Sequence, residues 1–235
     1  MLVSYETLTS ALLQAPSSPV SLINTSTLDS YINIARNQVA ADGECIRFPA
    51  SLTTSAQSNS FASITTSAAN GVGSVIAIRS AKIGPRLAID IRPWEYFAAY
   101  YLGSGSVGTP LRAAQQGQGI NGTFFIDPVP AAPVQITLDV VCLPIVLVND
   151  TTPEAIPRLW VDAVPFYAAW LGMMSLQRQG DAQVMMQRYH DLMRRARQLS
   201  TPSELPDNLP GGQGATMASG HGQLSQSTAA AAGQR

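Results

Sequence analysis

The sequence predicts an α+β fold, mainly α: a helical bundle with an inserted small β-rich region and an extended C-terminal tail. Three observations lead there. Toward both ends of the first two hundred residues, apolar side chains recur at steps of three and four, the helical period. Between Cys45 and Val148 the period drops to two, and Ser, Thr, Gly and Pro become common. From Thr201 onward the chain is first Pro-rich and then rich in Gly, Ser, Ala and Gln, a composition that cannot build a core. The expected divisions are N-terminal bundle helices over 1–43, an inserted β-rich region over 44–149, C-terminal bundle helices over 150–200 and a tail over 201–235.

Tyr5 to Leu13 predicts a short helix that stops near Pro16. In "STLDSYINIARNQVAADGE", Ser26 is the expected N-cap, with Asp29 in the capping-box position. Leu28, Ile32, Ala35 and Val39 share one face, and Gly43 is the expected left-handed stop. "GVGSVIAIR", "RLAIDI", "TFFID" and "VQITLDV" read as strands. Pro144 in "VVCLPIVLV" argues for an edge position, because proline cannot donate to a ladder. "PWEYFAAYYLG" reads as an aromatic helix or turn with Pro93 near its start. Thr152 or Asp150 caps a short turn carrying Pro153, and Asp162 is the expected N-cap of the helix that contains Pro165. "DAQVMMQRYHDLMRRARQLS" is strongly amphipathic, with Ala182, Met185, Met186, Tyr189, Met193 and Ala196 on one stripe.

The stretch "AVPFYAAWLGMMSLQ" from Ala163 to Gln177 has no charged side chain. A bilayer span needs about 20 apolar residues, so it is too short to cross a membrane. It is also too apolar for a surface helix with one polar face. Its Leu171 face is expected to pack on Met185 and Met193, and its Trp170 face to meet a neighbouring subunit or the rest of the fold.

Charged residues make up 12% of the chain, about half the usual share, and the net charge of -1 gives no long-range attraction to nucleic acid or membrane. Lys82 is the single lysine, and arginine suits fixed bidentate pairing at interfaces better than lysine does. Such a surface resembles one that partners cover. No signal peptide or transmembrane segment is expected. Cys45 and Cys142 are too few and too far apart for a disulfide framework or a zinc site, and read as buried thiols. Three matches to the glycosylation sequon, beginning at Asn24, Asn121 and Asn149, carry no meaning without a secretory route.

Little catalytic chemistry is visible. Gly103-Ser104-Gly105-Ser106-Val107-Gly108 has the spacing of a dinucleotide loop, but a strand does not precede it and Thr109-Pro110 follows, so it reads as a flexible loop. His190 beside Asp191 has no nucleophile near it in sequence. Asp139, Asp150, Glu154 and Asp162 are explained mostly by capping. No catalytic residue, cofactor or metal is expected.

Four stretches together resemble a known family: "CIRF", "PWEYFAAYYLG", "LDVVCLPIVLVNDTTPEAIP" and "WVDAVPFYAAWLGMMSLQRQGDAQVMMQRYHDLMRRARQLSTP". They are similar to the head-to-tail adaptor, or connector, proteins of tailed bacteriophages, most closely the short-tailed ones. "INIARNQVA" fits that family's first long helix, and the resemblance covers roughly residues 5–205. It implies a virion protein made in the bacterial host cytoplasm that forms a homo-dodecameric ring beneath the portal protein. The ring extends the channel for double-stranded DNA and docks a tail nozzle or tail tube protein, with no membrane contact. It also implies a helical bundle with a smaller β element and a C-terminal extension that reaches along the portal. The Gly/Ala/Ser-rich end after Gly211 departs from the family pattern. Some relatives are credited with cell-wall hydrolysis, for which this sequence offers no acid/base pair. The expected partner-facing residues are Phe166, Trp170 and Met173 of the apolar helix, Arg194, Arg195 and Arg197 of the last helix, and Leu205 and Leu209 of the tail. The alternatives are another virion interaction protein and, third, a wall hydrolase.

Overall fold

The structure is a computed structural model that describes residues 1–14, 23–62, 64, 66, 68–85, 87–118 and 122–200. Met1–Ser200 forms one compact unit. Its helices are α1 (Leu2–Leu13), α2 (Thr25–Gly43), α3 (Trp94–Tyr100), α4 (Arg158–Val161), α5 (Val164–Ser175) and α6 (Gln179–Ser200). Its strands are β1 (Arg47–Thr53), β2 (Ser60–Ala62), β3 (Val72–Ile83), β4 (Leu87–Ile91), β5 (Arg112–Gln116), β6 (Thr123–Asp127) and β7 (Gln135–Pro144).

The expected fold class is overturned. The seven strands form a single curled mixed sheet, a half-barrel, in the order β1-β7-β3-β4-β5-β6-β2. Only β4 and β5 run parallel; every other pair is antiparallel. The molecule is therefore not a mainly helical bundle with a small β insert. Turn-rich composition between strands made the region read as small, yet β3 runs for 12 residues and β7 for 10. One core joins both layers: Ile32, Val39 and Ala168 from helices belong to the same buried cluster as Ile78, Leu138 and Val140 from the sheet.

Pro144 is not on an edge strand. β7 lies between β1 and β3, and Pro144 ends it, opposite Val72, where a missing donor costs nothing further along the ladder. The two edge strands are β1 and β2. Thr54 and Ile46 bond inward to Val134 and Cys142, so the odd residues of β1 face outward and place Pro49 on the free side. That proline blunts an edge that would otherwise pair with another strand.

Several ends differ from the sequence reading. Asn24, not Ser26, caps α2 by accepting from the Thr27 amide at 2.8 Å. The left-handed residue is Glu44, with φ 45°, one past the expected Gly43. Gly43 is required for a different reason: a Cβ there would sit 2.6 Å from Cζ3 of the Trp160 ring. Asp162 ends α4, and α5 starts after Ala163 with Pro165 in its first turn.

A candidate interaction surface

The helical layer is built around α5. Val164, Pro165, Ala168, Ala169, Gly172 and Met173 face the core. Small residues let neighbours approach closely: a Cβ on Gly172 would lie 2.7 Å from Leu13 Cδ2 and 2.8 Å from Ile23 Cδ1. This core stripe is neither of the two faces expected from the sequence. Phe166, Tyr167, Trp170 and Leu171 are half-buried at its flanks, and Met174 is 45% exposed opposite it. Positions 100° apart per residue place Tyr167, Trp170 and Met174 together on the outer side. An uncharged helix therefore closes the core with one face and leaves apolar surface on the other.

α1, α2 and α6 all pack on α5, and α2 also touches α1, α6 and β7. The stripe predicted for α6 is present: Ala182, Tyr189, Met193 and Ala196 are buried, with Met185 and Met186 half-buried. The Tyr189 ring meets Tyr167 edge-on at 5.0 Å, and its hydroxyl donates to Asp42 Oδ2 at 2.6 Å. Burial and that carboxylate push the phenol pKa far up, so it stays a donor. Gln38 donates to the other Asp42 oxygen at 2.8 Å, and Arg197 donates to the Asp42 carbonyl.

The stretch from Ile145 to Ile156 is a loop fastened to α2 and α1 by a buried polar network. Arg36, 1% exposed, forms a two-pronged ion pair with Glu154 at 2.8 and 3.0 Å and donates to the Ile145 carbonyl at 2.7 Å. Glu154 also accepts from the Tyr5 hydroxyl at 3.2 Å and the Ile156 amide at 3.0 Å. Burial first, then the Glu154 charge, hold the Tyr5 phenol pKa well above its ordinary value. Asn33 accepts from the Leu147 amide at 2.8 Å. Asp150 does not cap its own turn, which Asn149 does through the Thr151 and Thr152 amides. It caps α1 instead, accepting from the Met1 ammonium at 2.8 Å and the Val3 amide at 3.0 Å, contacts that hold its pKa below the ordinary range.

A second apolar surface lies on α3 beside the far strands. Tyr100 is 68% exposed, and Tyr96 and Leu102 stand beside it. Arg112 sits 4.5 Å over the Tyr101 ring and Arg92 5.8 Å over Tyr96. The glycine loop that follows binds no helix N-terminus; Ser104 and Ser106 donate to buried Asp127 at 2.6 and 3.2 Å, which pins the loop to β6.

The expected partner-facing residues separate into three groups. Phe166 and Trp170 are half-buried and packed against the core, whereas Met173 is 2% exposed and belongs to the core itself. Arg194, Arg195 and Arg197 all lie on the exposed side of α6, Arg194 paired with Asp191 at 2.6 Å. Leu205 and Leu209 lie outside the described residues. The Arg36–Glu154–Tyr5 network was missed; its one signal in the sequence is a lone arginine adjoining the apolar stripe of α2. His190 is exposed, its ring 5.4 Å from Tyr189. Among the described residues no three His, Cys, Asp or Glu side chains are grouped to hold a metal, and no helix is long and apolar enough to cross a membrane. Compared with known proteins, the chain matches no family model and no curated sequence.

Proposed function

We propose that this chain is a structural, non-enzymatic head-to-tail adaptor of a tailed bacteriophage virion. In this reading twelve copies form a ring beneath the portal, continue the DNA channel and dock the tail nozzle or tube. The reading rests on the resemblance, which covers roughly residues 5–205, and on the helical layer. One observation carries it: α5, uncharged throughout, keeps apolar surface on its outer side after closing the core. Exposed apolar surface joined to an ordered helical layer is what a subunit with neighbours presents. Ring closure then needs a repeated head-to-tail contact between unlike surfaces.

The test is the mass of the full chain alone and mixed with purified portal rings. A gain of twelve chains per portal supports the reading. A two-fold dimer as the only assembly, indifferent to portal, overturns it.

A further inference from the structure

The tyrosines of α3 and its C-terminal end form one continuous patch. The Tyr96 ring lies 4.8 Å from Tyr100 and 6.0 Å from Tyr101, and Tyr100 lies 6.5 Å from Tyr101. Tyr96, Tyr100 and Leu102 are 44%, 68% and 45% exposed. The helix that carries them is anchored from beneath: Phe97 is buried, and the Trp94 ring meets Phe125 of β6 at 4.7 Å. Rigid, exposed tyrosines are favoured at interfaces, because they bring large contact area at little cost in side-chain entropy.

The charges around the patch decide which ligand it suits. Arg92 and Arg112 lie over the Tyr96 and Tyr101 rings, but each already has a carboxylate, Asp90 at 2.5 Å and Asp127 at 3.6 Å. Glu95 on the same helix is exposed and adds a third negative charge. Two cations against three carboxylates do not make the positive groove that a nucleic acid strand needs beside its stacking rings. What the patch offers is ring faces, hydroxyls and guanidinium planes. Surfaces of that kind receive proline-bearing segments, which arrive extended and lose little entropy on docking.

Residues 201–235 follow the end of α6 at Ser200, and they open with "TPSELPDNLP". Proline recurs there at every fourth position, Pro202, Pro206 and Pro210, and a leucine precedes the last two. The proline-bearing connection between β6 and β7 is already bound within the compact unit, through Val129 and Pro130. We propose that residues 202–210 of one copy dock on the α3 tyrosine patch of a neighbouring copy, with Leu205–Pro206 and Leu209–Pro210 against the rings. This rests on the ring reading above and names a contact within it. A guanidinium carries five donors, so Arg92 and Arg112 keep N–H groups for Glu204 and Asp207. At 3.3–3.6 Å per residue, the stretch from Thr201 to Leu209 reaches at most about 30 Å from Ser200, enough to cross to an adjacent subunit. The segment and the patch are unlike surfaces, so the contact is heterologous and can close a ring.

The experiment mixes two full-length chains with a short bifunctional thiol reagent at high protein concentration, with and without portal rings. One carries Ala99→Cys, at an exposed position beside Tyr100, and the other carries Ser203→Cys. Burial pushes the native Cys45 thiol up to about 12 and Cys142 up to about 11, so the new cysteines react first. The expected product joins one chain of each kind. Moving the second cysteine to Ser219, outside the segment, lowers its yield about tenfold, as does Leu205→Ser with Leu209→Ser, which lies outside the compact unit and leaves its folding untouched. Tyr96→Ser with Tyr100→Ser has the same effect from the other side, with an unchanged circular dichroism spectrum. Equal yields from the Ser203 and Ser219 positions, or yields indifferent to the leucine and tyrosine changes, overturn the inference. So does a chain carrying both Ala99→Cys and Ser203→Cys that links only within itself. If no mixed product forms with portal present although the portal gains twelve chains, the adaptor reading stands and this contact alone fails.

Discussion

Arg36 and Glu154 are the residues on which the helical layer turns. Both are nearly free of solvent, and between them they hold the loop after β7 against α1 and α2. Removing one partner from a buried pair strands a charge, at a cost of about 3–5 kcal/mol, whereas replacing both with apolar residues of similar size is often neutral. Glu154→Leu is therefore expected to lower the denaturation midpoint steeply. Arg36→Met combined with Glu154→Leu is expected to recover most of that loss in the same urea titration. A second residue-scale expectation concerns pH. Because the Glu6 carboxyl is raised in the folded state, the native protein holds its proton to higher pH than the unfolded chain does. Stability then falls as pH rises from the ordinary carboxylate range through the raised value, and is level above it. Glu6→Gln removes that fall, so its melting temperature exceeds the parent's at neutral pH and converges on it in acid. Glu6 is partly exposed, and the difference is less than about 1 kcal/mol. A variant that melts lower than the parent at neutral pH would show that the carboxyl pair is not the cause.

At the scale of elements, α5 separates what the sequence revealed from what it hid. Its lack of charge showed that it packs on more than one side, but a helix apolar all round carries no periodicity to say which side is core. Packing decided that, and it chose the stripe with the smallest residues, Ala168, Ala169 and Gly172, where α1 comes closest. Met173→Ala is accordingly expected to cost about 2–5 kcal/mol. Met174→Glu and Leu171→Glu, off the core stripe, leave soluble, folded protein by circular dichroism; misfolding of Leu171→Glu would return that residue to the core. α6 was legible in full because its polar and apolar faces differ sharply. The strands were legible one by one, but their union was not. Nothing in the period of β4 or β5 announces that they pair parallel, and β1 lies far in sequence from β7, its partner. Pairing at that separation is a tertiary choice, so a continuous seven-stranded sheet passed for a small insert. Gly43 shows the same limit. Its position at a helix end was visible, whereas the Trp160 ring that forbids a side chain there was not. Gly43→Ala is expected to destabilise by about 1–3 kcal/mol, since a rigid ring cannot yield as a leucine tip can.

For the whole molecule, the candidate surface was legible in part. The exposed arginines on α6 follow from amphipathic patterning, whereas the outer side of α5 does not, and Met173 was misplaced for the reason given. The Glu6–Asp29 pair was invisible, because the two residues meet only when α1 and α2 pack. In the proposed reading the subunit repeats around a ring, with the apolar surface on the outer side of α5 among its contacts. That is the central claim, and the rotational symmetry of the full chain bound to portal rings tests it most directly. Class averages from electron microscopy, viewed down the ring axis, are predicted to show twelve copies arranged around an open channel. Isolated two-fold dimers, or portal rings left bare at saturating protein, would contradict it.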